Sequence, residues 1–247
     1  MAFSNFSPIG LISSCYKEKF GIPRQPNLVP AANAELILNK EFGEESIRGL
    51  EGFSHIWISF IFHKTQEQGW KQMVRPPRLG GNTKVGVFAS RSSFRPNPMG
   101  LSVVTLLDCD VRADNVILHL GGCDLLDGTP VLDIKPYLPY VDSIPDAKGG
   151  FADNKPEVLY EVLFSEEASS QCSQADKRLI KIQNAKKGGG WQIKQLIKQI
   201  LQLDPRPSYQ KQEKSDRIYA MKLHDFDLRW QYLENNKIKV IELITRG

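Results

Sequence analysis

Between Arg75 and Ser102 runs the stretch RPPRLGGNTKVGVFASRSSFRPNPMGLS, with four arginines and four prolines. A guanidinium offers a planar fork of donors that fits a carboxylate or a phosphate through two parallel charge-assisted bonds. Proline fixes φ and removes a donor, so RPP and RPNP hold the backbone extended and present Arg75, Arg78, Arg91 and Arg95 outside helix or ladder geometry. From Gln68 to Leu107 the charged residues are Lys71, Arg75, Arg78, Lys84, Arg91 and Arg95, all positive. The chemistry this suits is anion binding; the alternative is that the arginines pair with acids of a second domain or a partner subunit.

Three further segments carry polar groups on stiff or tightly turned backbone. In YKEKFGIPRQPNLVP, Arg24 lies between Pro23 and Gln25-Pro26, again on a proline-braced loop. In DLLDGTPVLDIKPYLPYVDS, Asp127-Gly128 is a turn signal, and Thr129-Pro130 leads into a strand bearing Asp133 and Lys135. Such a turn at a barrel rim can grip a ribose or an adenine, although most DG turns only connect strands. In DPRPSY, Arg206 sits between two prolines with Tyr209 able to stack on a base, and Lys186, Lys187, Lys211, Lys214 and Arg217 nearby suit an RNA-facing surface.

Other chemistries are absent. No G-x-G-x-x-G occurs, so a dinucleotide or ordinary methyltransferase Rossmann unit is excluded. Gly81 to Gly86 matches the first six positions of a P-loop, but Val87-Phe88 stand where Lys-Ser/Thr must hold phosphate and magnesium. Cys15, Cys109, Cys123 and Cys172 form no C-x-x-C pair, and the four histidines are scattered, which speaks against a metal site and a cysteine-dependent hydrolase. The net charge of +4 permits a nucleic-acid partner without requiring one. The N-terminus lacks a signal-peptide pattern and the longest apolar run, Ile56 to Phe62, is too short to cross a bilayer, so a soluble cytoplasmic protein is expected.

Short β-branched and aromatic runs bounded by turn residues predict strands over Phe6–Ser14, Ala34–Asn39, Ser54–His63, Val85–Ser90, Leu101–Asp110, Asn115–Gly122 and Pro130–Tyr137. Without intervening helices these indicate a barrel or a sandwich. The Pro, Gly and charge content of 145–157 reads as a linker between a unit at 1–144 and a smaller α+β unit at 158–247. There, Tyr160–Phe164 predicts a strand, Ser165 or a neighbour caps a helix that stops at Gly188 to Gly190, and Ile193, Leu196, Ile197, Ile200 and Leu201 fall at helical spacing. Three strands follow, Arg217–Leu223, Phe226–Tyr232 and Lys237–Ile244, the last two joined by a turn at Glu234 to Asn236.

Taken together, SPIGLISSCYKEKFGIPRQP, GLEGFSHIWISFIFH, the Arg75–Ser102 stretch, DLLDGTPVLDIKPYLPYVDS and DPRPSY closely resemble the TrmO (TsaA-like) family of S-adenosylmethionine-dependent tRNA methyltransferases. The resemblance spans nearly the whole chain. It implies a mainly β protein: an N-terminal antiparallel β-barrel that binds the cofactor, followed by a smaller C-terminal α+β domain for tRNA docking. It also implies a homodimer, and methylation of the exocyclic amine of threonylcarbamoyladenosine beside the anticodon. Carried over by motif, the cofactor pocket comprises Arg24, Gln25, Pro26, Phe62, His63, Arg91, Leu101 and Asp127 to Pro130. Arg75, Arg78, Arg95, Asp204, Arg206 and Tyr209 are expected on the tRNA side. The ureido nitrogen is a poor nucleophile, which leaves Asp127, Asp133 and His63 as candidates to take its proton. One departure is Cys15, where the motif has proline. The competing reading is a non-catalytic RNA-binding module that uses the basic loops only for docking.

Overall fold

The structure is a computed structural model and describes residues 6–183, 192–206 and 217–246. Six strands close a barrel: β1 (Gly10–Ser14), β2 (Ala34–Leu38), β3 (His55–Ile61), β6 (Met99–Val111), β7 (Val116–Gly121) and β8 (Pro130–Pro136). The order around it is β1-β2-β7-β6-β3-β8, each neighbouring pair antiparallel, and β8 returns to β1 through Gly10↔Val131 and Leu11↔Pro130. Period-two alternation sends Ile56, Ile58 and Phe60 of β3 into a core with Ile12, Leu36, Val104, Leu118, Leu120 and Val131. The alternate residues Trp57, Ser59 and Ile61 therefore lie on the outer face.

Two glycines permit this closure. A Cβ on Gly10 would stand 2.3 Å from the Ile37 carbonyl oxygen, a backbone atom that cannot move away cheaply. One on Gly100 would meet the Phe60 ring at 2.2 Å, so that ring fills the space a side chain would occupy. Between Ser59 and Phe60 the β3–β8 register shifts, with Ser59 opposite Asp133 but Phe60 opposite Val131, which leaves Leu132 as an extra residue.

The expected strand over Val85–Ser90 is a correction. Only β5 (Val85–Gly86) pairs, with β4 (Met73–Val74), and Val87–Ala89 turn into a 3₁₀ helix. The carbonyls of Val87 and Ser90 accept hydrogen bonds from Arg95 Nη1 at 3.2 and 2.8 Å, and the Ser90 hydroxyl donates to Val87 O at 2.9 Å. Side chains thus supply the partners that a ladder otherwise would.

Two one-turn helices, α1 (Glu44–Ile47) and α2 (Pro139–Asp142), flank the barrel. The second sheet has the order β10-β11-β12-β9 and comprises β9 (Glu161–Phe164), β10 (Ile218–Leu223), β11 (Phe226–Leu233) and β12 (Lys237–Thr245). Asn235 and Asn236 take left-handed conformations in the three-residue β11–β12 turn, Glu234 to Asn236. Helix α3 (Glu166–Gln183) starts at Ser165, whose Oγ accepts from the Ala168 amide at 2.9 Å. Helix α4 (Ile193–Gln202) buries Ile193, Leu196, Ile197, Ile200 and Leu201, each worth about 1.5–3 kcal/mol when fully withdrawn from water. Asp176 Oδ1 of α3 accepts the amide of Ile193 at 2.9 Å and so joins the start of α4 to its neighbour.

The core of this second unit is shared with the first. Cys15, Tyr16, Val29 and Ala32, which follow β1 in the chain, are buried among Leu196, Ile200, Met221, Leu223 and Trp230, and the Phe20 ring stacks on Trp230 at 6.0 Å. Polar contacts fix the same segment: His224 N donates to Cys15 O at 2.8 Å, Lys222 N to Glu18 Oε1 at 2.9 Å, and Ala31 N to Gln199 Oε1 at 2.9 Å.

Candidate active site

The segment between β1 and β2 has one side in the second core and the other on a cleft. Arg24, Gln25 and Pro26 form one wall of this cleft, which has a volume of about 660 Å³. The opposite wall is the end of β3 with Phe62, His63 and Lys64, and the third side is the Ser90–Arg95 loop with the start of β6. Outward-facing Ser59 and Leu101 and inward-facing Gly100 and Ser102 all contribute, so the cleft runs over the barrel rim. Its volume is within the range of small-molecule and cofactor sites.

The wall is pinned by backbone geometry. Asn27, at φ +60°, donates its amide to Gly122 O at 2.9 Å and its Nδ2 to Val103 O at 3.1 Å, so the loop is tied to β6 and to the turn after β7. A Cβ on Gly122 would lie 2.0 Å from Asn27 Oδ1, which makes glycine obligatory at this contact. Across the cleft, Arg91 Nη1 donates to Gln25 Oε1 and closes one end. Burial lowers the pKa of the Arg24 guanidinium, Asp204 of the second unit opposes that fall, and Arg78 adds to it.

Of the residues expected around the cofactor, Arg24, Gln25, Pro26, Phe62, His63, Arg91, Leu101 and Thr129 line the cleft. Asp127, Gly128 and Pro130 stand behind it. Asp127 Oδ1 accepts the Ser14 amide at 2.9 Å and pairs with Lys17 Nζ at 2.9 Å, and Gly128, at φ +74°, gives its amide to Ile12 O at 2.7 Å. This turn fastens β8 to β1 and lays Thr129 against the cleft floor.

The three proton-acceptor candidates separate. His63 is in the cleft, where burial, Lys64 and Lys19 hold its imidazole below the usual range, against the Ile61 carbonyl. Asp133 faces outward beside Ser59 and pairs with Lys135 at 3.0 Å, exposed to water. Asp127 is engaged as a structural acceptor. Asp133→Asn is therefore expected to keep methyl transfer within about 2-fold of the parent, since exposed ion pairs contribute little. A loss of 100-fold or more in kcat would restore Asp133 to the chemistry.

Of the expected tRNA-side residues, Arg95 lines the cleft, whereas Arg75 and Arg78 are exposed on the loop beyond it, with Arg78 donating to Asn154 O. Asp204 and Arg206 are a correction to a surface placement, because both are 3% exposed. Arg206 Nε donates to Asp204 Oδ1 at 2.9 Å and Nη2 to Tyr160 Oη at 2.8 Å, and the guanidinium covers the Tyr232 ring at 3.5 Å. Burial opposes the Arg206 charge, but the bonds to Asp204 outweigh it and raise the pKa. The motif fails as a surface predictor because a proline-braced arginine serves an internal clasp as well as a phosphate. Tyr209, Lys186, Lys187, Lys211 and Lys214 lie outside the described residues.

One cleft residue was not anticipated. Asp124 is half-buried on the floor, and its Oδ1 has no hydrogen-bond partner among the described residues. Burial pushes its pKa up to about 6, against the Ser102 hydroxyl and the Arg91 charge. Its signal in the sequence is an isolated acid in GGCDLLDG between two apolar pairs, where the DG turn three residues on draws the eye.

A family model for the tRNA-methyltransferase O N-terminal domain matches residues 11–143, and the TrmO C-terminal domain model matches 157–246. The chain belongs to the TrmO family. TrmO relatives include the tRNA (adenine(37)-N6)-methyltransferase of Escherichia coli K12, 48% identical over 94% of each chain. A putative S-adenosylmethionine-dependent methyltransferase, RcsF, of Pseudomonas aeruginosa PAO1 is 46% identical over 96% of each. A solved crystal structure of TrmO from P. aeruginosa superposes with a TM-score of 0.79 at 39% identity, covering 100% of this chain and 99% of that one. The closed barrel with its appended α+β unit is thus the TrmO architecture, and it accounts for the missing Rossmann turn.

Proposed function

We propose that this protein transfers a methyl group from S-adenosylmethionine to N6 of adenosine 37 in tRNA, and that the acceptor carries the threonylcarbamoyl group. The observation that carries this reading is the composition of the rim cleft: apolar walls, the cations Arg24, Arg91 and Arg95, and Asp124 with an unsatisfied oxygen. The methyl donor has an aromatic nucleoside and an amino-acid end with one negative and one positive group, so the cleft residues fit it. Pro26, Phe62 and Leu101 offer apolar surface to the nucleoside, and the arginines offer forks to carboxylates. When bound, S-adenosylmethionine supplies a methyl group activated on sulfur.

The protein's part is alignment and dehydration. Arg91, held by Gln25, and Arg95, held by the Val87 and Ser90 carbonyls, are preorganised donors for the threonyl carboxylate and flanking phosphates. Fixing both reactants in one cleft removes the translational and rotational entropy of their encounter. His63, held neutral by its surroundings, has a ring lone pair free to take the N6 proton.

The same reading places the protein in the cytoplasm as a homodimer. Exposed apolar side chains at the cleft rim, Met99 and Leu101, and Phe88 beyond it support a subunit contact there. Among the described residues no helix is long and apolar enough to cross a membrane, and no cluster of metal-ligating side chains occurs.

The test is transfer of labelled methyl to two tRNA pools, with and without the threonylcarbamoyl group. Label on the modified pool alone is the expected result. Label on both would remove the carboxylate from recognition, and label on neither, with tRNA bound, would favour an RNA-binding module.

A further inference from the structure

We propose that Asp124 receives the positively charged amino group at the amino-acid end of the methyl donor, while the cleft arginines take the donor's carboxylate and the substrate's anions. The inference rests on the function proposed above and goes further by assigning a residue to one group of the ligand. Among the described residues lining the cleft, Asp124 is the sole carboxylate, and it shares that lining with the cations Lys19, Arg24, Lys64, Arg91 and Arg95. A wall of cations attracts a carboxylate but repels an ammonium, so a ligand bearing both needs one acid at a defined place. Asp124 meets that need.

The Ser102 hydroxyl bonds this carboxylate and Arg91 stabilises its charge, but among the described residues one of its two oxygens is left without a partner. A carboxylate accepts at both oxygens, yet Oδ1 has no partner among the described residues, and a native buried polar atom without one calls for an explanation. Thr129, nearby on the floor, donates its hydroxyl to Leu126 O at 2.6 Å and is not free to help. The terminal torsion of an aspartate is soft, so a small rotation exchanges which oxygen meets the cleft. An ammonium, with three donors, supplies what is missing.

A pH signature follows. The groups facing Asp124 are the buried Cys123 and Tyr16, both held protonated to well above neutrality by burial, then Arg91, and across the cleft Arg24, Arg95, Lys19, Lys64 and His63. A cation brought against Asp124 favours its ionised form, so binding at or below about pH 6 must expel a proton from the fraction that carries one. Affinity for an ammonium-bearing ligand therefore rises with pH through that value and levels above it. His63 is a second titratable side chain in the cleft, held below the usual imidazole range by burial, which makes His63→Gln the necessary control.

The experiment is calorimetric titration of the full-length protein with S-adenosylhomocysteine, which has the amino-acid end but no sulfonium, and with methylthioadenosine, which lacks that end. Two buffers of different ionisation enthalpy report proton release. Asp124→Asn is expected to weaken S-adenosylhomocysteine by roughly 10- to 100-fold, as for loss of a charged hydrogen bond, and to leave methylthioadenosine within about 3-fold. Retained methylthioadenosine binding shows that the variant is folded. Proton release near about pH 5.5 should persist in His63→Gln and vanish in Asp124→Asn. Equal S-adenosylhomocysteine affinity in parent and Asp124→Asn overturns the assignment but not the enzyme, as does lost methyl transfer with that affinity intact, which would place Asp124 on the substrate. A parent that binds neither nucleoside overturns the cofactor reading itself.

Discussion

Arg206→Ala is expected to lower the free energy of unfolding by about 3–5 kcal/mol, the usual result of removing one partner from a buried ion pair. The guanidinium is almost fully covered, bonds Asp204 through Nε and Nη2, and lies against Tyr232. Its loss leaves the Asp204 carboxylate buried without its guanidinium. Chemical denaturation measures the effect. Because a pair removed whole costs less than a pair broken, Asp204→Asn combined with Arg206→Met should recover at least half of the lost stability. A surface role in tRNA docking alone predicts the reverse pattern: stability unchanged in Arg206→Ala and tRNA affinity reduced.

Arg91→Ala is expected to lower kcat/KM for methyl transfer by roughly 10- to 100-fold, equivalent to about 1.5–3 kcal/mol for a charged hydrogen bond. Its side chain is exposed on the cleft and its partner within the protein is Gln25, so unfolding should shift by no more than about 0.5 kcal/mol. Arg91→Lys should restore only part of the activity, since an ammonium cannot make the two parallel bonds that a carboxylate accepts from a guanidinium. Parallel denaturation and kinetic measurements separate the two effects. Unchanged kcat/KM in Arg91→Ala would remove the arginine loop from recognition.

How much of this could be read from the residues depends on whether the cause was local. The six barrel strands were legible because alternation and turn residues are nearest-neighbour properties, as in HIWISFI, where every second side chain is buried. Helix α4 was legible for the same reason, its five apolar residues falling on one face. The Val85–Ser90 segment has the composition of a strand but not the company of one, since Arg95 captures its carbonyls from five and eight residues away. At the site, Arg24, Arg91 and Arg95 line the cleft whereas the proline-braced Arg206 is internal, because burial is decided by the fold around a residue. Asp124 went unseen because a single acid has no pattern; its meaning comes from Ser102 and Arg91, which strand pairing and a loop bring beside it.

The segment from Cys15 to Ala32 gives the protein an order of assembly. During synthesis these residues, including the Arg24-Gln25-Pro26 wall, leave the ribosome before Leu196, Ile200, Leu223 and Trp230, on which the segment packs. A nascent chain can therefore close hydrogen bonds around the barrel while one wall of the cleft still lacks its backing. Tyr16 and Val29, each 1% exposed in the finished protein, remain in water until β10 and β11 arrive. A product truncated before β10 therefore carries every cleft-lining residue but lacks part of the packing behind the Arg24-Gln25-Pro26 wall.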